Sequence, residues 1–383
     1  MNNKKKAVVA GHICIDITPV FPQISAENIG AVLSPGKLIH MDGVDIHTGG
    51  AVANTGLAMK ILGTDVSLMG KVGKDDFGRL ILDSLDRYGA GEAMMVSAES
   101  DTSYSIVLAV PGIDRIFLHR TGANDTFSCE DIDWERVSQA ALFHFGYPPL
   151  MKKMYQNQGE ELVKMFSRVK RLGTAVSLDM AAVDPASEAG RADWDGILKR
   201  VLPYVDFFVP SVEELCFMLD KERFLSWQER AGGREVTDIL TLQDVRPLGE
   251  KVLEYGARCV VIKCGAPGIY YRTAEGKGME ELCSLLHLSQ DAWAGREGFE
   301  ASYEPEKVLS GTGAGDTSIA AFLTSVLEET SLHEAIQMAA GAGACCVASY
   351  DALGGLKSLD EMRKMIENGW KKRDGRTMRC WQI

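Results

Sequence analysis

Asp316 closes a run holding three glycines in five residues, Gly311-Thr312-Gly313-Ala314-Gly315. Beyond it, Ile319, Phe322, Leu323, Val326 and Leu327 fall on one helical face. The glycine run therefore feeds a helix N-terminus, where unbonded N–H groups and the positive end of the helix dipole favour an anion. Glycines let that backbone approach a phosphate without side-chain clash. A carboxylate beside a phosphate needs a task. Asp316 can take the proton of a hydroxyl that attacks phosphorus, while the amides of Gly313, Ala314 and Gly315 stabilise charge on the transferred group. The alternative is that Asp316 only caps the helix and the glycines only turn the chain. No GxxxxGK[ST] occurs, and the first strand leads into Gly11-His12-Ile13-Cys14-Ile15-Asp16, which is no dinucleotide fingerprint.

Elements must bring such a loop to a substrate. Short apolar runs at 7–13, 65–71, 141–145, 175–179, 207–210 and 258–263 read as strands. Between them, 51–62, 76–88 and 158–172 read as helices. Strands alternating with helices predict an α/β fold with a mostly parallel sheet, whose ligands gather outside the carboxyl ends of the strands. Two further runs, 103–110 and 115–119, flank the turn signal Pro111-Gly112-Ile113-Asp114 and read as a hairpin. Segments 221–248 and 273–308 are charged or mixed in composition and read as surface insertions on a single domain spanning 1–383. The basic run 371–380 reads as a solvated end.

The chain of 383 residues is 46% apolar and 25% charged, with a net charge of −12, which argues against a nucleic-acid backbone as partner. Nine cysteines lack CxxC or zinc spacing and read as reduced, buried thiols of a cytoplasmic protein. No stretch reaches the roughly 18 uncharged apolar residues of a membrane span. The N-terminal apolar run meets Asp16 early and reads as a strand rather than a signal peptide. His12, His47, His119 and His144 are scattered and suggest no metal site.

Taken together, these runs resemble the ribokinase, or PfkB-type, family of carbohydrate and nucleoside kinases over roughly residues 6–355. The family carries Asp-Thr-x-Gly-Ala-Gly-Asp near its C-terminus; here the run is Ser310, Gly311, Thr312, Gly313, Ala314, Gly315, Asp316. The core is intact, and the resemblance makes Asp316 the catalytic base. The first two positions depart from the pattern, which leaves a monovalent-cation requirement open. A second signature is Gly49-Gly50 leading into a helix, followed by Gly70-Lys71-Val72-Gly73-Lys74-Asp75. By resemblance Asp16, Gly49, Gly50 and Asn54 contact the sugar. Ser211 and Glu214 fall on the family's Asn-x-x-Glu, so Glu214 would organise magnesium indirectly. Lys263, Gly265 and Gly268 would lie over the nucleotide; Lys263 stands where relatives often carry a small hydroxyl residue.

The resemblance implies a three-layer sandwich with a small β lid, its strands drawn from about 17–47 and 102–120. It implies ATP and Mg²⁺ as cofactors, a small sugar as substrate, and a homodimer joined through the lid. Arg115 to Phe127 would line the sugar side through His119 and Asn124. Arg120 could meet a substrate carboxylate or could be a lid-surface charge. Gly146 stands where ribose-specific relatives carry an acidic residue, which argues against ribose. The expected activity is transfer of the γ-phosphate of ATP to a carbohydrate hydroxyl. A nucleoside kinase and a catalytically silent sugar-binding protein are the alternatives, the second suggested by the departures at Ser310, Gly311 and Ser211.

Overall fold

The computed structural model describes residues 5–22, 29–111, 116–349, 351–373 and 381. Its strands are β1 (Lys6–Gly11), β2 (Cys14–Val20), β3 (Gly43–Gly49), β4 (Asp65–Met69), β5 (Lys71–Gly73), β6 (Met95–Ser97), β7 (Tyr104–Leu108), β8 (Ile116–Arg120), β9 (Leu142–Gly146), β10 (Ala175–Asp179), β11 (Phe207–Phe208), β12 (Cys259–Lys263), β13 (Gly268–Thr273) and β14 (Glu297–Ala301). Eight of them form one sheet in the order β14-β13-β12-β11-β10-β9-β1-β4. From β12 to β4 every pairing is parallel; β13 and β14 close the edge antiparallel.

The parallel strands are buried on both faces, which explains their unbroken apolar character. Two apolar clusters result. Val9, Leu57, Phe207 and Phe322 belong to one, and Val8, Phe143, Phe166 and Phe208 to the other. Alternate residues of one strand thus feed opposite faces, and helices cover both, giving the expected three layers.

A second sheet, in the order β3-β2-β7-β8, forms the lid. It begins at Cys14, earlier than expected, because β2 follows β1 after only His12 and Ile13. Its registers align two rows. His47, Asp16, Ser105 and His119 form one, and Ile46, Ile17, Ile106 and Leu118 form the next. Neighbouring residues of a strand point to opposite faces, so one lid face carries the polar row and the other the aliphatic row. The β7–β8 pair is the expected hairpin; its turn at 112–115 lies outside the described residues.

Both supposed surface insertions reach the core. Trp227, Leu242 and Val245 are buried in one helical layer. Trp293 is fully buried at 6.1 Å from Phe207 and 6.2 Å from Phe322 (ring centroids), and β14 is the edge strand of the large sheet. The dense glutamates of 273–308 masked these few apolar anchors. The basic end also docks where it is described: Lys372 pairs with Glu300, and Trp381 stacks on Phe299 at 4.7 Å. Residues 374–380 lie outside the described residues.

Candidate active site

The carboxyl ends of neighbouring parallel strands each present a polar residue. β1 is followed by His12, β9 by Tyr147 and β11 by the Ser211 turn, while β10 ends in Asp179 and β12 in Lys263. The helix Ala314–Leu327 arrives over these ends with Asp316 in its first turn.

Gly313 is the N-cap of that helix, at φ 75°, and a Cβ there would stand 2.2 Å from the Cβ of Ala352. Left-handed backbone and close approach together demand glycine. No side chain caps the helix, so Asp316 is not its cap. Ala314 N–H reaches the Gly311 carbonyl at a long 3.4 Å, and the first regular helical bond runs from Thr317 N–H to the Gly313 carbonyl at 2.9 Å. The amides before it lie at the open helix start.

Asp316 is 5% exposed and accepts three side-chain hydrogen bonds. The Tyr147 hydroxyl donates to Oδ1 at 2.7 Å, Thr55 Oγ1 to Oδ1 at 3.2 Å, and Asn54 Nδ2 to Oδ2 at 3.0 Å. Asn54 and Thr55 come from the helix Ala51–Ile61, which starts at Gly50, φ 86°. A Cβ at Gly50 would meet His12 Nδ1 at 2.6 Å, and one at Gly49 would meet Asp16 Oδ2 at 2.1 Å. The two glycines thus let two polar side chains close on the backbone. Burial pushes the Tyr147 phenol well above its usual pKa, with the Asp316 charge adding to it, so Tyr147 stays a donor.

On the other side, Lys263 Nζ donates to Asp179 Oδ1 at 2.8 Å, with both groups nearly enclosed. Lys263 Nζ also lies 3.6 Å from where a side chain on Gly315 would begin, so the cation borders the glycine loop. Burial pushes Asp179 up to about 8 against the pull of Lys263, and Glu214 and Asp316 push the same way. Glu214 sits in a capping box: its Oε2 accepts from Ser211 N–H at 2.8 Å, and Ser211 Oγ accepts from Glu214 N–H. Gly265 and Gly268 lie at the turn from β12 to β13.

Asp16 is half-buried on the polar lid row. Burial raises its pKa, opposed by hydrogen bonds from Cys14 (3.3 Å) and Ser105. Ser105 Oγ also meets His119 Nδ1 at 3.0 Å. The His12 ring lies 5.2 Å from that of His119 and 5.9 Å from that of Tyr147. Asn124 departs from expectation: fully buried, it binds Ile13 through both N–H (3.2 Å) and carbonyl (2.9 Å), so its amide braces the β1–β2 junction. Arg120 pairs through two bonds of 3.0 Å with Asp101 at the exposed rim, as a lid-surface charge.

The sequence reading missed Thr55, Tyr147, Asp179 and His12. Their shared signal is position, since each stands in a helix start or strand end that faces the cleft.

A large parallel sheet with a lid, a helix start beside a hydrogen-bonded aspartate, and a buried cation at the loop define a phosphoryl-transfer fold of ribokinase type. The chain belongs to the pfkB family carbohydrate kinases, whose family pattern matches residues 4–358. It is therefore a phosphotransferase with an alcohol group as acceptor. It is similar to a 5-dehydro-2-deoxygluconokinase of Clostridium botulinum, 22% identical over 96% of this chain and 94% of that one. It is similar to a probable fructokinase-5 of Arabidopsis thaliana, 23% identical over 96% and 99%. Among solved structures it resembles an Arabidopsis thaliana ribokinase complexed with ribose and ATP (TM-score 0.69, 20% identity, covering 95% of this chain and 99% of that one). A Xylella fastidiosa fructokinase with bound ATP gives TM-score 0.68 at 18% identity, covering 96% and 100%.

Proposed function

We propose that the protein transfers the γ-phosphate of ATP to a hydroxyl of a small carbohydrate, with Asp316 as general base. The observation that carries this is Asp316 itself: a buried carboxylate at an open helix start, fixed by donors from Asn54, Thr55 and Tyr147. The acceptor oxygen bonds to the γ-phosphorus as its proton passes to Asp316. The bond from phosphorus to the β–γ bridging oxygen breaks, and ADP leaves with that electron pair. The Gly313, Ala314 and Gly315 amides and the Lys263 ammonium face the charge on the transferred group. Asp16 and Asn54 orient the acceptor, with Gly49 and Gly50 as its close backbone wall. The Gly265 and Gly268 turn borders the nucleotide.

Among the described residues no group of three carboxylate, histidine or cysteine side chains could hold a metal ion directly, so no side-chain cage for Mg²⁺ is formed here. Glu214 and Asp179 would hold the ion through its water shell, and the ion would neutralise phosphate charge. Lid closure would exclude water from the transfer.

No helix among the described residues is long and apolar enough to cross a membrane. We place the protein in the cytoplasm because the eight described cysteines are all unpaired, as a reducing compartment keeps them. A second copy is the expected partner of the lid: Ile46 and Leu118 of the aliphatic row, with Val44 on the same face, are half exposed.

The test is ADP release with ATP and magnesium across sugars, sugar acids and nucleosides, with Asp316→Asn beside the unaltered chain. Turnover that the variant loses supports the reading. Turnover that survives the substitution removes Asp316 as base.

A further inference from the structure

His12 is 2% exposed, and among the described residues neither of its ring nitrogens has a hydrogen-bond partner. Buried polar atoms are almost always paired, because leaving one unpaired costs the full loss of its hydration. The ring is not isolated from chemistry. It lies between His119 on the polar lid row and Tyr147, whose hydroxyl holds Asp316. Its backbone is fixed by a bond from His12 N–H to the Gly146 carbonyl at 3.1 Å. Gly146 offers no side chain of its own, and a Cβ there would stand 2.1 Å from the Cβ of Ala51. The imidazole is thus the polar side chain that this corner of the cleft supplies.

We propose that His12 is a hydroxyl-reading contact of the acceptor site and that the acceptor is an uncharged polyhydroxylated carbohydrate, an inference that rests on the sugar-kinase reading above. A neutral imidazole has one N–H donor and one bare nitrogen acceptor, and a sugar hydroxyl both donates and accepts. Burial, with His119 adding to it, holds His12 well below its usual pKa, so the ring meets the substrate neutral.

The charges around it select against an acid. The ionisable groups on the acceptor side are Asp16 and Asp316, with His47 and His119 on the lid row. Lys263 is committed to Asp179, and Arg120 to Asp101 at the rim. A carboxylate on the acceptor would join two carboxylates with no lysine or arginine free to meet it among the described residues, a loss that hydroxyls avoid. The acceptor reaches the ring beneath the lid row, so Ser105 and His119 close over the same hydroxyls that His12 reads.

The full chain is tested for binding, by melting shift and calorimetry, against D-fructose, D-ribose, myo-inositol and D-gluconate. The His12→Leu, His12→Asn and His12→Gln variants run in parallel. At least one uncharged probe binds the unaltered chain and D-gluconate does not. His12→Leu weakens that binding by roughly 10- to 100-fold, and Asn or Gln restores part of it. The free His12→Leu protein melts higher than the unaltered chain, since the group removed had no partner, whereas a structural histidine gives the opposite sign. Preference for D-gluconate, no binding of any uncharged probe, unchanged binding in His12→Leu, or a lower melting point of that variant each overturns the proposal. Binding that depends on His12 without any ADP release leaves it standing and removes the kinase reading instead.

Discussion

The two halves of the cleft handle burial of polar groups in opposite ways. On the half made by β10, β11 and β12, each charged group is matched within the protein: Lys263 with Asp179, Glu214 with the Ser211 amide. On the half made by β9, β1 and the lid, Asp316 is matched three times over, yet the ring nitrogens of His12 beside it have no hydrogen-bond partner among the described residues. Phosphate chemistry is common to all kinases that use ATP, so that half can be complete within the chain. The acceptor half must still pair with a molecule that the protein is there to recognise, and its unpaired atoms mark where.

Substitutions can break or sharpen this contrast. The largest effect belongs to Asp316→Asn, which lowers turnover by roughly 10²- to 10⁴-fold while the melting point stays near that of the unaltered chain. Steady-state ADP release beside a melting curve checks both. Next, Lys263→Met removes the partner of Asp179 and lowers stability by about 3–5 kcal/mol above about pH 8, where Asp179 must ionise unpaired. Pairing it with Asp179→Leu recovers much of that loss in denaturant unfolding, though the double variant remains slow. If Lys263→Met costs no stability, the matched half is not matched by this pair.

Tyr147→Phe removes one of three donors to Asp316 and keeps the ring against His12. Turnover should fall by about tenfold, as for one hydrogen bond to a charged group, with acceptor KM little changed. A fall in KM affinity without loss of turnover would assign Tyr147 to the substrate instead.

A smaller effect is set by pH. Asp179 is raised from 3.8 to about 8, so the folded chain holds its proton more tightly than the unfolded one. Its contribution to stability is present below 3.8 and is lost as pH rises towards about 8. Asp179→Asn should flatten the fall in stability across that window, read from denaturant midpoints at several pH values. The smallest effect on activity is expected from Ile46→Ser with Leu118→Ser, which should shift the sedimentation of the protein towards the monomer with little change in turnover.

Some of this was legible in the sequence because it is local. The glycine run before Asp316, the Gly49-Gly50 entry to a helix and Asp16 on an early strand each declare themselves within a few residues. Asp179, Tyr147 and His12 do not, since nothing adjacent distinguishes them. They become neighbours only when strands far apart in sequence lie side by side, and the rule that ligands gather at strand ends names the place without naming the residue. Asn124 misled for the converse reason. It sits in a stretch expected to line the sugar side, but its amide is bonded to the Ile13 backbone. The insertions misled through composition, because one Trp293 among many acids carries more burial than the average of the segment suggests.

The passage from β1 to β2 has one more consequence. These strands belong to different sheets, and only His12 and Ile13 separate them. Asp16 belongs to the lid sheet, while Asn54 and Asp316 belong to helices of the body. A rotation of one sheet against the other would bend the chain here, as well as at the Gly49-Gly50 crossing from β3 into the following helix. The proposed acceptor contact thus sits on one of the jaw's hinges, so that occupancy and the jaw's angle would share a residue.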